Sequence, residues 1–114
     1  MRRKRDMPDQ RDFAKLSNLA RRLGAEGRFA EAETLCKRAL AIAENVLGRH
    51  DPDIATILNN LAFIYHNQNR FAEAEPLYMR ALAIREQAFG SEHPDVAQGL
   101  NNLAGLYLEQ SRYG

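Results

Sequence analysis

The sequence predicts an all-α protein built from repeated pairs of helices. The main evidence is an internal repeat: residues 29–70 and residues 71–112 are identical at 24 of 42 aligned positions. Within each copy, apolar residues recur at the spacing of an amphipathic helix. Pro52 and Pro94 fall where first helices begin, and Gly48 and Gly90 fall where second helices end. A repeat of this length that alternates helices with turns is typical of a stacked helical array.

Two short strings carry most of the repeat. Phe-Ala-Glu-Ala-Glu at residues 29–33 recurs at residues 71–75, and Leu-Asn-Asn-Leu-Ala at residues 58–62 recurs at residues 100–104. A more diverged copy, Leu-Ser-Asn-Leu-Ala, occupies residues 16–20. The strings therefore mark three successive units, of which the first has diverged most.

Each unit is predicted to contain two helices. In the middle unit the first helix starts at Asp51-Pro52-Asp53, which offers a capping side chain, a first-turn proline and an acid near the positive helix end. Glycines at 48 and 90 suit the ends of the second helices, whereas Gly27, Asn69 and Ser111 align at the ends of the first helices. The expected helices cover residues 9–25, 29–47, 53–68, 71–89 and 95–110.

The order of apolar residues resembles the tetratricopeptide repeat. The spacing of a large residue, Leu, a small residue and Tyr, followed by Ala, an aromatic residue and Ala, is met by Leu58, Leu61, Ala62, Tyr65, Ala74, Tyr78 and Ala81. The 42-residue period and the His-Pro-Asp start at residues 93–95 are similar to the kinesin-light-chain type of this repeat. The first unit departs from the pattern, because Leu23 replaces the tyrosine and Cys36 replaces the second aromatic residue.

This resemblance implies a short right-handed superhelix of about two and a half units and five helices. The first helix of each unit would line a concave groove, and the second would lie on the convex side. We expect residues 9–114 to form the repeat domain, with units at about 9–50, 51–92 and 93–114. Residues 1–8 are expected to be a disordered basic tail.

The last unit ends without a second helix, so we expect the outer side of its first helix to be an exposed apolar surface. Either further repeats of a longer solenoid or a second copy of the protein would cover it. The residues predicted to mediate self-association are Leu100, Leu103, Leu106 and Tyr107, with Leu106 expected to be a surface residue beside the apolar stripe.

The side of each first helix opposite the core is rich in amides rather than charges. Amides donate and accept hydrogen bonds together, which suits the backbone of an extended peptide. The predicted groove residues are Ser17, Asn18, Arg21, Thr56, Asn59, Asn60, Phe63, His66, Asn67, Gln98, Asn101 and Asn102.

Three alternatives stay open for these groove residues. The resemblance implies that the asparagine pairs hold a bound peptide, but one asparagine of each pair could instead tie neighbouring first helices together. Arg21 could bind a carboxylate or be solvated. Phe63 could contact a ligand or an adjacent repeat.

The remaining features favour a non-catalytic cytoplasmic protein without a cofactor or a metal. The histidines at 50, 66 and 93 lack the spacing of metal ligands, and no nucleophile motif or phosphate loop is present. The net charge is +1, and the four basic residues at 2–5 are expected to be a solvated end rather than a nucleic-acid arm. No apolar run is long enough to cross a membrane. The expected partner is therefore a protein or peptide, with neither nucleic acid nor membrane bound.

Overall fold

The computed structural model describes residues 12–113, which form five α-helices and no strand. The helices are α1 (Asp12–Ala25), α2 (Phe29–Leu47), α3 (Pro52–Asn67), α4 (Phe71–Phe89) and α5 (Pro94–Tyr113). This order confirms the predicted all-α repeat, and within the described range the bounds agree with the expected ones to within three residues. The predicted disordered tail lies outside the described residues.

The two helices that begin with proline are capped by the side chain just before it. The carboxylate of Asp51 accepts a hydrogen bond of 2.9 Å from the backbone N–H of Asp53. At the start of α5, Nδ1 of His93 accepts one of 3.0 Å from the backbone N–H of Asp95. Each cap satisfies a donor that the first helical turn leaves unpaired, so His93 has a structural explanation in this turn.

The predicted helix ends are confirmed in the first two units but not in the third. Gly27 and Asn69 have φ values of 85° and 60°, the left-handed conformation expected for a residue that ends a helix. Gly48 has φ 84° and ψ 169°, a backbone region that is essentially closed to other residues. The prediction that Ser111 ends its helix is wrong, because α5 continues to residue 113.

Helix α3 is the centre of the molecule. It packs against α1, α2 and α4, while α1 pairs with α2, and α4 also packs against α5. Ten of its sixteen residues are buried for this reason. Ile57 lies against α2, where the Cys36 Sγ is 3.5 Å from its carbonyl oxygen. Ile64 lies against α1 at Gly24, where a Cβ would come within 3.0 Å of the isoleucine Cγ1.

Helix α5 repeats α3 after 42 residues but is buried on one side only. Val96, Leu103 and Leu106 are buried. Leu100 and Tyr107 are 54% and 46% exposed, whereas their counterparts in α3, Leu58 and Tyr65, are buried. No described helix follows α5 in the way that α4 follows α3, and this accounts for the difference.

The expectation that Leu106 is a surface residue is wrong. Leu106 is fully buried, and Leu103 is 8% exposed, so both belong to the core and cannot contribute to an exposed surface. Leu106 lies three residues after Leu103, which brings it to the same side of the helix. The large apolar residues of α5 that are exposed are Leu100, Tyr107 and Leu108, which we call the outer face of α5; the sequence analysis did not identify Leu108.

Cys36 should be almost inert in the folded protein. Its side chain is fully buried, and burial raises the pKa of the thiol to about 12. Only about 10⁻⁴ of the thiol would then be the reactive thiolate at pH 8. A disulfide reagent such as Ellman's should therefore modify the native protein at least ~10³ times more slowly than the urea-unfolded protein. Equal rates in the two states would contradict the buried placement.

Candidate functional site

A polar cavity of about 290 Å³ lies where α1, α3, α4 and α5 meet. Its ten lining residues are Asn18, Arg21, Thr56, Asn59, Asn60, Phe63, Tyr78, Arg85, Gln98 and Asn102. Five of them carry side-chain amides and two carry guanidinium groups, and none is acidic. The cavity therefore offers many hydrogen-bond donors and an excess of positive charge.

Eight of the twelve residues predicted for the groove lie at this cavity. The other four predicted residues, Ser17, His66, Asn67 and Asn101, do not line it. Ser17 is buried between helices, and Asn67 and Asn101 are exposed elsewhere. Tyr78 and Arg85 line the cavity from α4, although the second helix of a unit was expected to lie away from the groove.

Asn60 connects α1 to α3. Its Nδ2 donates to the Ser17 hydroxyl at 2.6 Å, and its Oδ1 accepts from Arg21 Nη1 at 3.0 Å. Asn60 is 4% exposed and Ser17 is 2% exposed, so this contact is part of the core. For this asparagine the structure supports the alternative in which the amide ties neighbouring helices together.

Phe63 packs against Arg21 of the preceding unit. The guanidinium carbon of Arg21 lies 4.7 Å from the centroid of the Phe63 ring, a cation–π distance, and the ring is half-buried. Arg21 thus spans α1 and α3 with two contacts, one to the ring and one to Asn60. Both of these partners are neutral, so neither contact cancels the positive charge of Arg21.

Arg85 and Asn59 carry polar atoms without a partner in the described structure. Arg85 is 7% exposed; its Nη2 lies 3.3 Å from the Thr56 hydroxyl, whereas its Nη1 has no hydrogen-bond partner. Asn59 is 9% exposed, and its Oδ1 is also unpaired. Buried polar atoms are paired in the great majority of native structures, so these two atoms require an explanation.

Tyr78 and His66 link the cavity wall to α5. Burial raises the pKa of Tyr78 to about 12, so its hydroxyl stays protonated at neutral pH. That hydroxyl lies 3.2 Å from Nδ1 of His66, and Nε2 of the same ring lies 3.0 Å from a carboxylate oxygen of Glu109. The two ring nitrogens of His66 therefore lie against α4 and α5, and His66 does not line the cavity.

A family model for the tetratricopeptide repeat matches residues 12–87 and residues 53–114. Together these matches cover the described helices. The chain is a tetratricopeptide repeat protein. Members of this family generally mediate protein–protein interactions and are typically non-catalytic.

Within residues 12–113 no group of three or more histidine, cysteine or acidic side chains could hold a metal ion. None of the described helices is long and apolar enough to cross a membrane.

A comparison of the two repeat copies could have identified Arg85 from the sequence. The segment Arg-Ala-Leu-Ala-Ile occurs at residues 38–42 and 80–84, and it is followed by Ala43 in one copy and by Arg85 in the other. A change from a small buried residue to arginine within an otherwise identical stretch indicates a local role. Tyr78 was identified from the sequence as a residue of the repeat pattern, and it is both buried and part of the cavity wall.

Proposed function

We propose that this protein binds an extended peptide, or a helix of a partner protein, across the polar cavity between α1, α3 and α5. The observation that carries the proposal is that two buried atoms of cavity residues, the Asn59 Oδ1 and the Arg85 Nη1, have no partner among the described residues. A ligand that offers both donors and acceptors would satisfy them. A peptide backbone offers both kinds of group at every residue except proline.

The size of the cavity limits what it can hold. At about 290 Å³ it is close to the lower end of the ~300–1,000 Å³ found for small-molecule sites. It would therefore accept one or two side chains, with the remaining peptide lying across the adjoining amides. We expect the affinity of this repeat domain for one peptide to be on the order of micromolar or weaker, about −8 kcal/mol or less favourable.

A displayed library of random peptides, selected on the immobilised protein, tests this proposal. The double variant Asn59→Ala, Asn102→Ala removes two cavity amides. It should raise the dissociation constant of each selected peptide at least about tenfold, as measured by fluorescence anisotropy. The matched control is Asn67→Ala, Asn101→Ala, which removes two exposed amides outside the cavity. Equal affinities for the two double variants would contradict binding in the cavity.

A second candidate function is self-assembly through the outer face of α5. It is favoured by the exposure of Leu100, Tyr107 and Leu108, at 54%, 46% and 62%, on one side of one helix. Covering such a surface removes apolar area from water. The double variant Leu100→Asp, Leu108→Asp should then abolish any dimer seen by sedimentation equilibrium. A wild-type protein that stays monomeric at high concentration would rule this function out.

A further inference from the structure

The two junctions between successive first helices are built differently, although the sequence repeats. At the α1–α3 junction, Asn60 closes the contact by bonding Ser17. The corresponding pair 42 residues later is Asn102 and Asn59, and there the Asn59 Oδ1 has no hydrogen-bond partner within residues 12–113. The asparagine amide is therefore hydrogen-bonded across the α1–α3 junction, whereas the Asn59 Oδ1 at the α3–α5 junction is left without a donor from the described residues.

Two substitutions within the repeat accompany this difference. Position 43 is alanine in the first unit, and the equivalent position 85 is arginine in the second. Position 63 is phenylalanine in α3, and its equivalent in α5 is Gly105, where an added Cβ would meet nothing within 4 Å. Arg85 brings a guanidinium to the α3–α5 junction. Gly105 leaves open space in α5 at the position that Phe63 fills in α3.

A guanidinium in this position is costly without a partner. Arg85 is more than nine-tenths buried, and its hydrogen bond goes to the neutral hydroxyl of Thr56. Moving a charge out of water is strongly unfavourable unless it is paired and hydrogen-bonded. Arg21 adds a second positive charge to the same cavity wall, and no carboxylate lines it. The cavity thus has the charge and the free donor that a bound anion would complement.

We propose that Arg85 selects a carboxylate group of the bound peptide and that Asn59 accepts an N–H from the peptide backbone beside it. This inference rests on the proposed peptide-binding function and names its ligand class. The planar guanidinium matches a carboxylate in geometry and forms charge-assisted hydrogen bonds to it. An acidic residue and the carboxyl terminus of a peptide share this chemistry, so both are sources of the group.

Three small probes titrated into the ¹⁵N-labelled protein test the inference by NMR. Acetyl-glutamate N-methylamide supplies the carboxylate of an acidic residue, acetyl-alanine supplies a terminal carboxylate, and acetyl-glutamine N-methylamide is neutral. At least one carboxylate probe should shift the side-chain amide of Asn59 and bind about tenfold or more tightly than the neutral probe. The carboxylate probe that binds more tightly identifies the source of the group.

The variant Arg85→Met should remove the preference for carboxylate. Its control is Arg80→Met on the same helix, which removes the same charge but lies outside the cavity, where Arg80 pairs with Glu44 at 2.6 Å. Only Arg85→Met should make the carboxylate probes and the neutral probe bind with equal affinity. Because the buried charge is unpaired, Arg85→Met should also leave the melting temperature unchanged or raise it.

Three results would overturn the inference: equal binding of neutral and carboxylate probes, a preference that survives in Arg85→Met, or a clearly lower melting temperature for that variant. The first two leave the proposed function intact if the neutral probe still shifts Asn59. The third would make Arg85 a structural residue. The proposed function itself is decided separately, by the displayed peptides and the asparagine variants.

Discussion

Replacing Leu106 with aspartate should detach or unfold helix α5. Leu106 is fully buried, so the substitution removes a packed side chain and places a carboxylate in the core. Losing a buried leucine costs about 2–5 kcal/mol by itself, and an unpaired buried charge adds to this cost. We expect a loss of more than ~4 kcal/mol, a large part of the stability of a small domain. Circular dichroism during urea unfolding would measure it.

Leu108→Asp is the matched control for that experiment. It makes the same chemical change two residues later, at a position that is 62% exposed on the outer face of α5. Exposed substitutions of this kind usually change the stability by less than about 0.5 kcal/mol. Similar losses from the two variants would mean that α5 does not pack with Leu106 inward. Because repeat units can unfold separately, hydrogen exchange should show whether α5 alone is lost in Leu106→Asp.

Asn60→Ala should destabilise the contact between the first two units. The change removes an amide whose Nδ2 lies 2.6 Å from the Ser17 hydroxyl and whose Oδ1 lies 3.0 Å from Arg21 Nη1. The serine hydroxyl would remain buried without this partner, and a buried group left unsatisfied costs about 1–3 kcal/mol. With the lost bond to a charged donor, we expect a loss of ~2–4 kcal/mol in the free energy of unfolding.

The same substitution at the equivalent position of the next unit should have little effect. Asn102 is only half-buried and lies at the open cavity, so Asn102→Ala is expected to cost no more than ~0.5 kcal/mol.

A double-mutant cycle between Ser17→Ala and Asn60→Ala should give a coupling energy of about 0.5–3 kcal/mol. No coupling between the two sites would contradict the hydrogen bond.

The sequence was sufficient to predict the fold, because each unit carries its own local signals. The Asp51 cap, the left-handed Asn69 and the glycine ends act within a few residues along the sequence, so their consequences follow from spacing alone. Ser111 lacks the αL preference of glycine or asparagine, and helix α5 continues beyond it. Local chemistry therefore accounts both for the correct boundaries and for this wrong one.

The candidate site was predicted less completely because it depends on contacts between units. Helical spacing places Asn60 on the face opposite the core, but it does not show that Ser17 of the previous unit reaches the same point. The cavity also receives Arg85 from a second helix, which a prediction limited to the first helices excludes. Leu106 was misassigned for a similar reason, since one helix wheel does not show which side its neighbour covers.

The claim that a peptide lies in the cavity can be tested by paramagnetic relaxation. A peptide selected on the protein would carry a nitroxide at its central residue and be added to the ¹⁵N-labelled protein. We predict that the side-chain amide signals of Asn18, Asn59, Gln98 and Asn102 broaden most. Broadening centred on Leu100 and Leu108 at the outer face of α5, with the cavity amides unaffected, would contradict this account.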